Sequence, residues 1–404
     1  MLVTGLVLQH AEVQPFTQYA SHGCFLLAYL LIGWTVFRTA VVLFADGNIL
    51  NEYLLIGIAT LATFAIGRYS ESVTVLLLYT LGVVFQEAAL NRAGRSVGKE
   101  VNLDALAQVR ITVEDAVRRT GKTHQFITKF ALVYTPLVLF MAQFLVVVPA
   151  LAVQDFVLKD WLYRAMEFVL IACPRSLVIS VPLGYLCGVV AASRKRILFK
   201  GPESIELMRK LDTLVIDESA TITPGTFEAI RELREQGIKH IVMLSGEEDA
   251  IAQRVANELG ITAAYSELTP ERKFEHLQKL KASGAKVAFA SNVDGASAMA
   301  VADMGIAMGE LGSGTTIQTA NVVIQTGHPS EISTARRISA VTHRVVWQNI
   351  WLALLAKAIL LGLAAGGLVT LWEAVLVDIG IALLTIVNAG RIQWMDFSAA
   401  RMLP

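Results

Sequence analysis

Charge is scarce in this sequence. Of its 404 residues, 17% are Asp, Glu, Lys or Arg, where an average soluble chain has about 25%. Hydrophobic residues make up 54%, and mean hydropathy is +0.56. Those proportions exclude an ordinary soluble enzyme. Neither sign of charge dominates, since 34 Lys and Arg balance 34 Asp and Glu. Without a polycationic face, no nucleic-acid partner is expected. Cysteine is also rare. Cys24, Cys173 and Cys187 are too few for a disulfide framework and suit soluble parts that face a reducing compartment. Residues 1–23 carry no Lys or Arg, so the basic stretch of a secretory signal is missing and no cleaved leader is expected.

What the chain has in abundance is long apolar runs. A bilayer crossing takes about 20 apolar residues, and stretches near 24–45, 50–67, 70–91, 128–151, 161–192, 345–364 and 368–390 reach or approach that length. Orientation follows from the basic residues. Arg92, Arg95, Lys99, Arg110, Arg118, Arg119, Lys122 and Lys129 crowd one connection, and Arg194, Lys195, Arg196 and Lys200 open the long polar insertion. Both are therefore expected in the cytoplasm. The connections on the other side carry only Arg68 and Lys159. The expected layout is an extracytoplasmic segment (1–23), transmembrane helices 1–3 (24–92), a short cytoplasmic linker (93–127), helices 4–5 (128–193), a cytoplasmic domain (194–340), helices 6–7 (341–392) and a cytoplasmic tail (393–404). The lipid bilayer is the first partner, and a multi-pass plasma (inner) membrane protein the expected localisation.

From Leu211 the pattern changes to short β-branched runs alternating with helical ones, such as LDTLVID, EAIRELREQGI, KHIVMLSG and KVAFAS. Repeated βα units predict a parallel sheet covered by helices, with chemistry at the carboxyl ends of its strands. Three polar groups fall there: Asp217 to Thr221, Ser245 to Glu247, and Ser291 to Asp294. Their convergence suits a phosphoryl or metal site, although polar strand ends occur in any Rossmann-like domain.

The order of longer segments carries a family resemblance. IGIATLATFAIGRYSESVTVLLLYTLGVVFQEAALNR, then FITKFALVYTP, then IACPRSLVISVPLGYLCGVVAASRKRILFKGPESIELMRKLDTLVIDESATITPG, TPERK and VADMGIAMG, with a final pair of helices, resemble the P-type cation-transporting ATPases of the heavy-metal class, above all the zinc/cadmium pumps. The resemblance implies an α-helical membrane bundle of about seven transmembrane helices with an inserted α/β, Rossmann-like domain of the haloacid-dehalogenase type. It also implies a phosphorylated aspartate at Asp217, with Thr221, Ser245, Lys273 and Asp294 around it and Mg2+ bound nearby.

Several positions depart from the family. Its D-K-T-G-T loop reads D-E-S-A-T here, and Glu218 puts an anion beside the nucleophile, which repels phosphate. The magnesium loop is shortened, with Asn292 where an Asp aligns, and an amide is a poorer magnesium ligand than a carboxylate. Lengths depart further. Asp217 and Ser245 are 28 residues apart, where the family inserts its nucleotide-binding domain. Arg92 to Thr128 spans 36 positions and holds no T-G-E, the actuator tripeptide that positions the hydrolytic water. No ATP site is predicted, and negligible ATPase activity is expected.

Ionisable residues in apolar helices are expensive and functional by default. They are Glu71, Glu167, Arg175, Lys357, Glu373 and Asp378. Where the family has a metal-binding C-P-C, this chain has Cys173-Pro174-Arg175. In one reading Arg175 reaches Asp378 and plugs the cation position. In the other it turns away, leaving Cys173, Asp378 and Glu71 to bind a zinc-like ion. Lys357 can pair with Asp378 in both. Three functions follow: a pseudo-pump that binds, senses or regulates heavy metal with a membrane or cytoplasmic protein partner; a minimal transporter energised by ATP through a partner; and a membrane-tethered phosphatase.

Overall fold

The computed structural model describes residues 15–45, 52–100, 121–172, 175–217, 225–261, 263–292, 295–309 and 314–397. The chain forms two compact units: residues 1–91, 124–181 and 348–387 in one, residues 92–123, 182–347 and 388–404 in the other.

The first unit is helical. It is built from α1 (Pro15–Ala45), α2 (Glu52–Ala65), α3 (Tyr69–Glu100), α4 (Gly121–Ala152), α5 (Leu158–Ala172), the start of α6 (Arg175–Ser193), the later part of α13 (Ser330–Ala365) and α14 (Leu371–Gly390). Its interior holds Phe25, Tyr29, Leu76, Tyr79 and Val375, with Leu55, Val138 and Phe168 in a second cluster. Fully burying such a side chain stabilises by about 1.5–3 kcal/mol. Several buried hydroxyls donate to backbone carbonyls: Thr60 and Thr63 to Ile56 O and Ala59 O of their own helix at 2.8 and 2.7 Å, and Ser72 of α3 to Thr60 O of α2 at 2.6 Å. The outside is apolar, with Leu31, Trp34, Leu151, Leu355 and Val387 all exposed, as lipid contact requires.

Among the described residues, Ala20–Ala45, Leu158–Ser193, Ser330–Ala365 and Leu371–Trp394 are long and apolar enough to cross a membrane, and Tyr53–Ala65, Tyr69–Phe85 and Pro136–Ala152 are shorter apolar helices. All seven expected stretches therefore lie wholly or largely on helices, and α3 and α4, which carry two of the shorter apolar segments, are each 32 residues long. The stretch expected over 161–192 is described as α5 up to Ala172 and α6 from Arg175, within the apolar span Leu158–Ser193; Cys173-Pro174 lie outside the described residues.

The second unit contains a seven-stranded sheet in the order β1-β7-β6-β5-β2-β3-β4. The strands are β1 (Ile197–Phe199), β2 (Thr213–Asp217), β3 (His240–Leu244), β4 (Ala263–Tyr265), β5 (Val287–Ser291), β6 (Met304–Met308) and β7 (Val322–Ile324). All neighbours run parallel except β1 against β7. Helices α7 (Pro202–Lys210), α8 (Thr226–Glu235), α9 (Asp249–Leu259), α10 (Pro270–Ala282), α11 (Ala296–Val301) and α12 (Gly314–Thr319) connect them. Val215, Leu244, Val287, Phe289 and Val323 form the core. Order reverses at β2: the chain moves outward through β3 and β4 on one side and through β5, β6 and β7 on the other. The crevice at the carboxyl ends of β2 and β5 is thus the topological switch point where open α/β sheets place ligands.

The expected boundary at 340/341 falls inside α13, which is continuous from Ser330 to Ala365. Near its start, the Arg336 guanidinium donates to Met208 O at 3.0 Å, Leu211 O at 2.9 Å and Gln236 O at 3.2 Å. Likewise α3 runs on to Glu100 and α4 begins at Gly121, so much of the expected linker over 93–127 is helical.

Candidate functional site

Two places carry chemistry, one in each unit. In the sheet unit, β2 ends on Asp217, whose register partner on β3 is Leu244. On the other side β5 ends on Ser291, and the Ile216–Ala290 pair sets the two ends level. Ser291 donates its hydroxyl to Asp217 Oδ2 at 3.1 Å. Lys273 sits in the first turn of α10, a helix fixed by Pro270 and by Thr269, whose hydroxyl accepts from Arg272 N. Its ammonium lies 2.9 Å from Asp217 Oδ1, and the two side chains are 17% and 12% exposed. The acid, the lysine and the serine are thus one hydrogen-bonded group at the switch point.

The other expected residues of this site are placed differently. Ser245 is fully buried, but its hydroxyl accepts from Glu247 N at 2.9 Å and shapes its own turn. Thr221 and Asp294 lie outside the described residues. Ser291, which opens the Ser291 to Asp294 group expected at this site, is the member of that group whose side chain meets Asp217. Haloacid-dehalogenase-type domains generally use magnesium, yet the described donors fit it poorly. One Asp217 oxygen faces a lysine and the other a hydroxyl, and the next candidate donor is the neutral amide of Asn292. Magnesium favours carboxylate oxygens.

In the helical unit, Lys357 of α13 lies 2.7 Å from Asp378 Oδ1 of α14, the side chains being 3% and 20% exposed. The same ammonium donates to Ile171 O, a backbone carbonyl of α5, at 3.0 Å. A cavity beside Asp378 is lined by Ile56, Tyr79, Leu170, Ile171, Val375 and Ile379. Cys173 and the Arg175 side chain lie outside the described residues. Glu71 is engaged elsewhere. Arg68 Nη1 donates to its Oε1 at 3.0 Å and the Tyr163 hydroxyl to its Oε2 at 2.7 Å, which removes it from the expected metal set. Glu373 accepts from Thr370 N and Oγ1 at 2.8 and 2.6 Å and so caps α14. Glu167 is buried, 1% exposed.

Residues 186–303 match the haloacid dehalogenase-like hydrolase family. The chain is similar to a zinc-transporting ATPase of Synechocystis, 27% identical over 583 residues that cover 93% of this chain and 81% of that protein. It is also similar to a cadmium, zinc and cobalt-transporting ATPase of Bacillus subtilis, 26% identical over 577 residues, covering 91% and 82%. These alignments are longer than the 404-residue chain itself, so long stretches of each relative face no residue here. Among solved structures, a zinc-transporting PIB-type ATPase in the E2.Pi state aligns with TM-score 0.65 and 20% identity over 97% of this chain and 99% of that one, which shows a shared fold.

Proposed function

The chain belongs to the heavy-metal, zinc/cadmium-type P-type ATPase family of membrane proteins, and from that premise we propose that it is a pseudo-pump: it binds, senses or regulates a heavy metal with a membrane partner and does not hydrolyse ATP by itself. The observation that carries this reading is the short path from β2 to β3. Phosphoryl transfer depends almost wholly on positioning and on neutralising charge, so ATP must be held with its terminal phosphate against Asp217. Only 28 residues separate Asp217 from Ser245. The described part of that path, residues 225–244, comprises α8, whose buried Ala229, Ile230 and Leu233 belong to the sheet domain's own packing, and β3 of the sheet itself. Among its described residues no segment is left over to hold a nucleotide.

The relatives' names bring a zinc-like cation to this chain as its proposed cargo, with Cys173 and Asp378 as ligands. Such a cation competes with Lys357, which already neutralises Asp378. Arg175, two residues from Cys173, adds a second fixed cation, and this supports the plugged reading. The test is ATP turnover by the purified protein in lipid vesicles, with and without zinc, alongside Asp217→Asn. Equal background rates are expected for both proteins. Zinc-stimulated turnover that disappears in Asp217→Asn overturns the reading.

A second reading, a transporter energised by ATP through a partner, draws support from the preserved 2.9 Å Lys273–Asp217 contact. Zinc flux into native membrane vesicles that is lost in Asp378→Ala would favour it. Flux that appears only in Arg175→Cys would favour the plug. A phosphatase is less well served, because the general acid it needs two residues beyond Asp217 is Ser219 in this sequence.

A further inference from the structure

Glu167 is an intramembrane carboxyl that neither the phosphorylation site nor the Lys357–Asp378 pair absorbs. It lies on α5, is 1% exposed, and its Oε1 has no hydrogen-bond partner among the described residues. A carboxylate ionised in such a place costs several kcal/mol unless a cation meets it. The cations nearby are taken. Arg68 is bonded to Glu71 at 3.0 Å and stacked on the Tyr163 ring at 4.0 Å. Arg164, three residues before Glu167 on α5, lies over the Trp161 ring at 4.6 Å.

The hydrogens can be counted. Tyr163, one turn before Glu167 on α5, has a single O–H. That hydrogen goes to Glu71 Oε2, 2.7 Å away. Leu371 N of α14 approaches the same phenol oxygen as a donor at 3.4 Å. The tyrosine therefore has no hydrogen left for a carboxylate at Glu167. Only a protonated Glu167 avoids leaving a bare anion in this place. The remaining charged or titratable groups on neighbouring elements are otherwise engaged: Glu373 of α14 caps its own helix, and His22 of α1 lies 4.7 Å from the Tyr69 ring. A metal ion is poorly served, since no group of three or more His, Cys, Asp or Glu side chains converges among the described residues.

We propose that Glu167 is a proton-binding site of the membrane unit, a buried acid that keeps its proton while Tyr163, one turn away, donates to the Arg68-paired Glu71. One proton then brings this group of two carboxyls and one guanidinium to zero net charge. Losing that proton leaves a bare anion, which draws Arg68 away from Glu71. The ligand is a proton, and the site is separate from the Lys357–Asp378 pair.

Infrared spectroscopy of the full chain in lipid nanodiscs tests this independently of any ATP or metal activity. In protein labelled with carbon-13 glutamate, a carbonyl band of a protonated carboxyl in apolar surroundings is expected at neutral pH. It should shift in heavy water, vanish in alkali, and be lost in Glu167→Gln. Glu71→Gln should leave it in place. Should Glu167→Gln not fold, Glu167→Asp removes the isotope-shifted component in the same way. Absence of the band in wild type, or its survival unchanged in either Glu167 variant, overturns the proposal.

Discussion

At the scale of single residues, the Lys357–Asp378 pair is where energetics and function meet. Both groups have left water, and the ammonium is divided between a carboxylate and a backbone carbonyl of α5. Removing one partner of a buried pair typically costs about 3–5 kcal/mol, because the other is left uncompensated. Lys357→Met is therefore expected to lower stability toward that range, reduced by the 20% exposure of Asp378. The double variant Lys357→Met with Asp378→Leu is expected to recover much of the loss, and denaturant midpoints in detergent measure both. Asp217, Lys273, Lys357 and Asp378 could be picked out from sequence because ionisable residues in apolar runs, or beside β-strand ends, are uncommon. Glu71 and Ser291 were visible as well, but their contacts were not. Tyr163 and Glu71 are 92 positions apart, and Ser291 and Asp217 are 74 apart; only the folded helices and the sheet register bring them together.

At the scale of elements, close helix approach and helix ends dominate. Gly184 and Gly188 lie one turn apart on α6, the small-residue spacing that lets helix backbones approach. A Cβ at Gly184 would come within 2.6 Å of Val346 on α13, and one at Gly188 would collide with the Thr342 side chain. Gly188→Leu should cost about 1–3 kcal/mol by overpacking, and adding Thr342→Ala should return part of it, as read from thermal unfolding. Lys200, just after β1, donates to Ile317 O and Gln318 O in the last turn of α12, a favourable place for a cation. Burial nevertheless pushes its ammonium down to about 8 from 10.5, so between those values the unfolded chain binds the proton and the folded one does not. Stability contributed at this site therefore rises with pH across that window. The free-energy difference between wild type and Lys200→Met should move in favour of wild type as pH increases through it. Element types were largely readable from periodicity, whereas the continuity of α13 through the expected 340/341 boundary was not. Its polar first half reads as soluble domain and its apolar second half as membrane, and nothing in sequence marks that one helix supplies both.

At the scale of the whole molecule, the chain combines the helical body of a heavy-metal pump with a haloacid-dehalogenase-type domain whose aspartate stands at the topological switch point. The order of its segments was enough to read that architecture, because family segments keep their order even at 27% identity. The consequence of the missing lengths is a matter of function and needs chemistry to decide it. The most direct measurement is phosphoenzyme formation by the purified full chain given ATP radiolabelled on its terminal phosphate, followed by acid quench. The account predicts no label on the protein, in wild type or Asp217→Asn, with or without zinc. Label that appears in wild type and is absent from Asp217→Asn would contradict it, since the chain would then have placed a nucleotide against Asp217 without help.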